Sequence, residues 1–204
     1  MFNSIEEIIK EAQLGKPFIL IDDEDRENEG DIIIPAEYVS VEVIKLMIMF
    51  ARGLICVAID QKTADKFDLK LHPRRNVDEL ETAFTYSIDA KKGGSTGMSA
   101  ADKVNTILKL VEQNSTVDDF KVPGHVYPVV AKPKGVLERR GHTEAAVDIA
   151  NLAKLKPVMV ICEIINDDGT MARRDDLFKF AKTHNIKISS VEKLVQYIKA
   201  QPSQ

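Results

Sequence analysis

One stretch of the chain is dense in groups that can do chemistry. Residues 22–31, DDEDRENEGD, hold seven carboxylates: Asp22, Asp23, Glu24, Asp25, Glu27, Glu29 and Asp31. Within the stretch only Arg26 offsets them. It lies between two apolar runs, FILI (18–21) and III (32–34), where a loop leaves the edge of a sheet. Like charges at this density repel one another unless something compensates them. A hard divalent cation would do so, because Mg²⁺ takes carboxylate oxygen and keeps several of its waters. The spacing is not that of an EF-hand loop. A solvated acidic turn would carry the same residues.

A second stretch, GVLERRGHTEAAV (135–147), sets Arg139 and Arg140 before Gly141-His142-Thr143, where a helix is predicted to begin. A helix start offers free backbone N–H groups to an anion, and arginine adds a planar fork of donors. This pattern suits a phosphate site, with His142 beside it as a metal ligand or proton carrier. A surface arginine pair next to a structural histidine is the alternative. His125 stands in a proline-framed turn, VPGHVYP. Glu163 stands in an otherwise apolar strand, VMVICEII, where an ionised carboxylate is costly unless it is paired or reaches water. GGSTGMS (93–99) is a possible second phosphate cradle, without the G-K-[ST] ending of a Walker A loop. A carboxylate loop for a hard metal, an arginine-lined anion site, an isolated histidine and a strand carboxylate together suit metal-assisted enolisation of a phosphorylated sugar.

These groups need a scaffold. Ser4 with Glu7 makes a capping box, and Ile5, Ile8, Ile9 and Ala12 follow at helical spacing up to Gly15. Further helices are predicted at 41–51, 61–67, 99–112, 143–153, 175–184 and 191–200. Ser99 caps the fourth, with Asp102 three residues on, and Ser189 with Glu192 caps the last. Strands are predicted at 18–21, 32–34, 54–59, 83–89, 127–131, 158–164 and 186–189, with Pro123-Gly124 turning the chain into the fifth. Residues 72–81 (HPRRNVDELE) read as a loop. Seven strands and seven helices without strict alternation imply an α+β fold: one mixed sheet with helices on both faces.

Composition narrows the classes. The 204 residues carry 28 Lys+Arg against 32 Asp+Glu, a formal charge of −4. With pI ≈ 5.6 the chain is a poor fit to nucleic acid. No apolar run approaches the ~20 residues of a membrane span. The acidic, helix-periodic segment 1–16 is expected to be a helix of the fold rather than a signal peptide. Cys56 and Cys162, the only cysteines, sit in strand-like runs and suit a reducing cytosol. A single domain over 1–204 is expected.

In order along the chain, DDEDRENEGD, STGMSAAD, PGHVYP, GVLERRGHTEAAVD and CEIINDDGTMAR resemble the 3,4-dihydroxy-2-butanone 4-phosphate synthase family of riboflavin biosynthesis. The length resembles the monofunctional form, and the cysteine-rich zinc motif of the GTP cyclohydrolase II half is missing. The resemblance implies a three-layer mixed α+β sheet shared with YrdC-type domains. It implies a cytoplasmic homodimer with active sites at the subunit interface. The implied reaction takes D-ribulose 5-phosphate to L-3,4-dihydroxy-2-butanone 4-phosphate and formate with Mg²⁺ (or Mn²⁺), two ions per site. By motif, Glu27 and His142 are the implied metal ligands. Arg26, Glu27, Asp31, Arg139, Arg140, Gly141, His142, Thr143 and Glu163 are the implied substrate contacts, and His125, Glu163 and Asp31 the implied catalytic groups. Arg140 stands where many members carry Gly. A non-catalytic nucleotide- or RNA-binding module is the rival of another class, and it would need a basic face.

Overall fold

The computed structural model describes residues 1–73 and 82–201. The expected loop at 72–81 therefore lies largely outside the described residues. Seven strands form one sheet: β1 (Phe18–Ile21), β2 (Gly30–Pro35), β3 (Cys56–Ile59), β4 (Ile88–Ala90), β5 (Phe120–Val130), β6 (Val158–Glu163) and β7 (Lys187–Ser190). Their order is β4-β5-β3-β6-β2-β1-β7, with β1/β7 and β3/β5 parallel and the other neighbours antiparallel. Every predicted strand is present. Each apolar run feeds both faces, as expected of strands buried on two sides. Ile19 and Ile21 enter one core and Phe18 and Leu20 the other, and Val160 and Cys162 alternate likewise with Met159 and Ile161.

Helices α1 (Ile5–Gln13), α5 (His142–Leu152) and α7 (Val191–Ala200) pack on one face. Helices α2 (Val41–Leu46), α3 (Gln61–Lys66), α4 (Ala100–Val111) and α6 (Arg174–His184) pack on the other. The fold is the three-layer mixed α+β sheet that the pattern implied. The capping boxes at Ser4/Glu7 and Ser99/Asp102 form as expected. The helix expected over 41–51 continues past α2 as a π-helical turn, Met47–Ala51.

Three details differ. The cap of α7 is Ser190, whose hydroxyl accepts from the Lys193 N–H, while the Ser189 hydroxyl donates to the Asn3 carbonyl. Strand β5 begins at Phe120, so Pro123, Gly124 and His125 lie inside a strand rather than in a turn before it. The strand expected over 83–89 is continuous only at Ile88–Ala90, with isolated bridges at Phe84 and Thr85. Both strand differences arise at the β4–β5 edge, where the register is irregular.

The connectivity sets up one end of the sheet. The β1–β2 hairpin places the acidic segment there. Antiparallel β2 and β6 bring Asp31 directly opposite Glu163, and β3 enters beside them with Cys56 opposite Ile161.

Candidate active site

The acidic segment is folded around Asp22. Its buried carboxylate accepts from the Glu29 N–H at 2.8 Å, the Glu27 N–H at 3.3 Å and Arg26 Nη1 at 2.6 Å. Arg26 also forks onto both oxygens of Glu27, at 2.7 and 3.1 Å. Compensation of the seven charges is therefore broader than the local sequence allowed. Arg140 binds Asp23 at 2.6 Å, Arg174 binds Glu24 at 3.0 Å, and Arg173 stands 3.7 Å from Glu29.

Helix α5 begins against this loop. Gly141 is its N-cap, and the Arg139 guanidinium lies against it. His142 and Thr143, the first residues of the helix, turn into a cavity of about 270 Å³. Arg26, Glu27 and Asp31 enter the same cavity from the acidic side, Arg139 from the loop before α5, and Glu163 from the end of β6. The volume suits a small metabolite and is below that of drug-sized pockets.

Asp22, Glu27 and His142 each offer a donor atom, and the three atoms lie within 4.8 Å of one another. Two buried atoms here, His142 Nε2 and Asp31 Oδ1, have no hydrogen-bond partner among the described residues. Buried polar atoms are nearly always satisfied, so an unsatisfied His142 Nε2 within the three-donor group, with Asp31 Oδ1 3.6 Å from the same ring, fits an ion. Two carboxylates and an imidazole suit Mg²⁺ or Mn²⁺. Burial pushes the His142 imidazole down, which favours the neutral form that ligates. Asp31 is held well above the ordinary carboxylate range, first by burial and then by the charge of Glu163 across the strand pair. Glu163 Oε2 in turn accepts from the Leu54 N–H at 2.8 Å. Cys56 lines the cavity as a thiol, because burial pushes its ionisation far up.

The family model for 3,4-dihydroxy-2-butanone 4-phosphate synthase matches residues 6–197. The chain belongs to the 3,4-dihydroxy-2-butanone 4-phosphate synthase family. It is 48% identical to riboflavin biosynthesis protein RibBA of Aquifex aeolicus, over 96% of this chain and 49% of that protein. It is 46% identical to the 3,4-dihydroxy-2-butanone 4-phosphate synthase of Agrobacterium fabrum, over 97% of this chain and 92% of that protein. A solved 3,4-dihydroxy-2-butanone 4-phosphate synthase in complex with two magnesium ions superposes with a TM-score of 0.93 at 34% identity, over 97% of each chain. The chain spans about half the length of the first curated relatives it matches, between 49% and 58%.

Within this synthase fold, three residues named from the motifs do not line the cavity: Gly141, which is the N-cap of α5, Arg140 and His125. Arg140 is turned away and committed to Asp23, in a separate outer groove with Arg174 and Glu192. His125 is on β5 and does not line the cavity, although Val129 further along the same strand does. Its ring is 44% exposed and its Nδ1 lies 2.7 Å from Asp89 Oδ2. The glycine-rich loop is not an open cradle. Its N–H groups at Ser95, Gly97 and Ser99 all point at the Asp102 carboxylate, and the bonds from Ser95 hold that carboxyl well below the usual range.

Sequence reasoning passed over Asp22 as a donor, and it passed over Glu144 and Asp148. These last two sit at i and i+4 on the otherwise apolar α5, and that spacing was the available signal. Glu144 Oε1 accepts from the Lys132 N–H at 3.0 Å and Oε2 from Arg139 Nη1 at 2.7 Å. Asp148 accepts from the Val136 N–H at 2.8 Å. Together they hold the loop that delivers Arg139.

Asp148 carries a pH prediction. Burial raises its carboxyl from 3.8 to about 6, and the charge of Glu144 adds to the effect. A carboxyl raised on folding stabilises most below its unfolded value, and that contribution is lost as pH rises through about 6. Two units correspond to up to about 3 kcal/mol. Asp148→Asn keeps an acceptor for Val136 and removes the charge. Urea unfolding should find the variant equal to wild type near pH 4 and more stable by up to that amount at pH 7.5. A gap that does not change with pH would show that ionised Asp148 costs nothing.

Proposed function

We propose that this chain converts D-ribulose 5-phosphate to L-3,4-dihydroxy-2-butanone 4-phosphate and formate, in riboflavin biosynthesis, and that residues 1–204 act as one domain. The observation that carries the reading is the convergence of Glu27 and His142 with Arg139 and Thr143 in one small cavity, with a donor atom of Asp22 close behind Glu27 and His142. Glu27 and His142 hold a divalent cation, Mg²⁺ or Mn²⁺, with Asp22 as a further donor. The relative solved with two magnesium ions supports this assignment. When bound, such a cation withdraws charge from chelated sugar oxygens and makes the adjacent C–H more acidic.

The other roles belong to the chain itself. Arg139 and the first N–H groups of α5, from Gly141 to Thr143, bind the phosphate. Arg26 fixes the carboxylates of Asp22 and Glu27, and Asp31 and Glu163 contact the sugar. Asp31 is held above the ordinary carboxylate range, first by burial and then by the charge of Glu163, which favours its protonated form. A group that holds a proton at neutral pH can return it to the substrate carbon skeleton. His125 is the remaining proton carrier.

We place His125 in the cavity of a second copy, in a homodimer. Two things support this. The ring points outward and does not line its own chain's cavity. The apolar side chains of Met98 and Val122, near it in the glycine-rich loop and on β5, are 62% and 58% exposed.

The reaction is tested by incubating the protein with ribulose 5-phosphate and Mg²⁺ and measuring formate. Release is expected, and it should stop after exhaustive EDTA dialysis and return with added Mg²⁺. The two-chain site is tested by mixing Glu27→Gln with His125→Ala under exchange conditions. Activity should reappear in the mixture, since hybrid dimers regain one intact site. A mixture as inactive as its components would place both residues in one chain's site.

A further inference from the structure

We propose that Asp89 is a positioning residue that sets the tautomer and direction of His125, so that Nε2 faces outward as a proton acceptor. The proposal rests on the reading above that His125 moves a proton.

The β4–β5 ladder is interrupted at this place. Ile88 pairs with Val126, but the next residue, Asp89, pairs with Lys121. The residues between, 122–125, have no counterpart on β4 and stand out as a bulge. Bulges of this kind re-aim a side chain, and here they present His125. The carboxylate of Asp89 closes the bulge from inside. Its Oδ1 accepts from the His125 backbone N–H at 2.9 Å, and its Oδ2 lies 2.7 Å from His125 Nδ1. Two further bonds fix the same segment. Lys103 Nζ donates to the His125 carbonyl at 2.6 Å, and the Gly124 N–H donates to Ser87 Oγ at 3.1 Å.

The carboxylate is shielded. Asp89 exposes 10% of its side chain, and the glycine-rich loop lies over it. Gly97 there has φ +90°, and a Cβ on it would stand 2.1 Å from Asp89 Oδ2. Only glycine allows both the backbone angle and the approach. The loop fastened by Asp102 is thus a cover for Asp89.

The chemistry follows from donor counting. Asp89 meets a backbone N–H with one oxygen and the imidazole with the other. An ionised carboxylate accepts at both positions. It therefore selects Nδ1–H on the ring and leaves the Nε2 lone pair free on the exposed side. An asparagine has one acceptor and one donor. If its oxygen keeps the backbone N–H, its NH₂ faces Nδ1 and drives the ring proton to Nε2. The wrong tautomer then blocks proton acceptance with little effect on substrate binding, as in the serine-protease Asp→Asn case.

The test is Asp89→Asn in the full chain, assayed with ribulose 5-phosphate and Mg²⁺ and examined by long-range ¹⁵N–¹H NMR of the imidazoles. The His125 signals are assigned by their loss in His125→Gln. Wild type should show His125 as the Nδ1–H tautomer, and Nε2–H in wild type would overturn the proposal without any variant. Asp89→Asn should show Nε2–H, a kcat lower by about a hundred- to ten-thousandfold, and a KM within about twofold of wild type. Asp89→Asn/His125→Ala should be no slower than His125→Ala alone. A wild-type kcat in Asp89→Asn, a slowed variant with an unchanged tautomer, or a double variant slower than His125→Ala would each overturn it. Full activity of His125→Ala would instead overturn the reading of His125 as a proton carrier. The tautomer measurement would still decide whether Asp89 sets the ring.

Discussion

Glu27→Gln should leave the fold intact and abolish turnover together with cation binding. The substitution is isosteric, and Glu27 is partly exposed, with 37% of its side chain accessible. Its Oε1 and Oε2 accept hydrogen bonds from Arg26, so the amide disturbs one ion pair at the surface of the cavity. What it removes is one negative charge from three clustered donors. A hard cation binds through carboxylate charge, so its affinity should fall steeply. Titration calorimetry with MgCl₂ should show binding to wild type and none to the variant over the same range, and formate release should fall at least a thousandfold. Asp22→Asn is a poorer probe of the same centre. Asp22 organises the loop through two backbone N–H groups and Arg26, so its loss would disturb geometry and charge together. Wild-type turnover in Glu27→Gln, or full activity of wild type after EDTA dialysis, would refute a metal centre at these residues.

The parts of this site that local sequence carries were legible. A capping box is decided within four residues, and Ser4/Glu7 and Ser99/Asp102 formed as read. Where two serines stand side by side, as at Ser189-Ser190, the local rule does not choose between them. Tertiary contact does, because Asn3 takes the Ser189 hydroxyl and leaves Ser190 to cap. Apolar runs located the central strands, since a strand buried on both faces leaves a run that does not depend on its partner, whereas the alternating segment 83–89 met β4 only at its end. Register does depend on the partner. The bulge at 122–125 exists only because β4 pairs on either side of it, so PGHV read as a turn.

Charge balance was the least legible feature. Asp22–Asp31 reads as seven carboxylates facing one arginine, yet Arg140, Arg173 and Arg174 reach the loop from 117 to 150 residues away. A repulsion argument from local sequence therefore overstated the need for a cation. The better argument for one came from the structure, in the orphaned His142 Nε2 and Asp31 Oδ1. Three of the five motif segments did locate the cavity, since Arg26, Glu27, Asp31, Arg139, His142, Thr143 and Glu163 all line it.

Arg139→Ala should raise KM for ribulose 5-phosphate by about 10- to 150-fold, the equivalent of the 1.5–3 kcal/mol carried by a charge-assisted hydrogen bond. Arg139→Lys should recover only part of this, because a point charge cannot reproduce the planar fork. The structure adds a second consequence. Arg139 is paired with Glu144, and the two side chains are 10% and 1% exposed. Removing the arginine leaves Glu144 with the Lys132 N–H on its other oxygen and a buried charge that has lost its counter-ion. Breaking such a pair from one side typically costs about 3–5 kcal/mol. Arg139→Ala should therefore unfold at clearly lower urea as well as bind poorly. The two effects separate in Arg139→Ala/Glu144→Gln. Glutamine can still accept from Lys132 and carries no charge, so the double variant should regain most of the stability while KM stays high. That split assigns the KM loss to the missing phosphate contact and the stability loss to the orphaned carboxylate. If KM recovered along with stability, Arg139 would be a structural partner of Glu144, and the phosphate site would have to rest on the N–H groups of α5 alone.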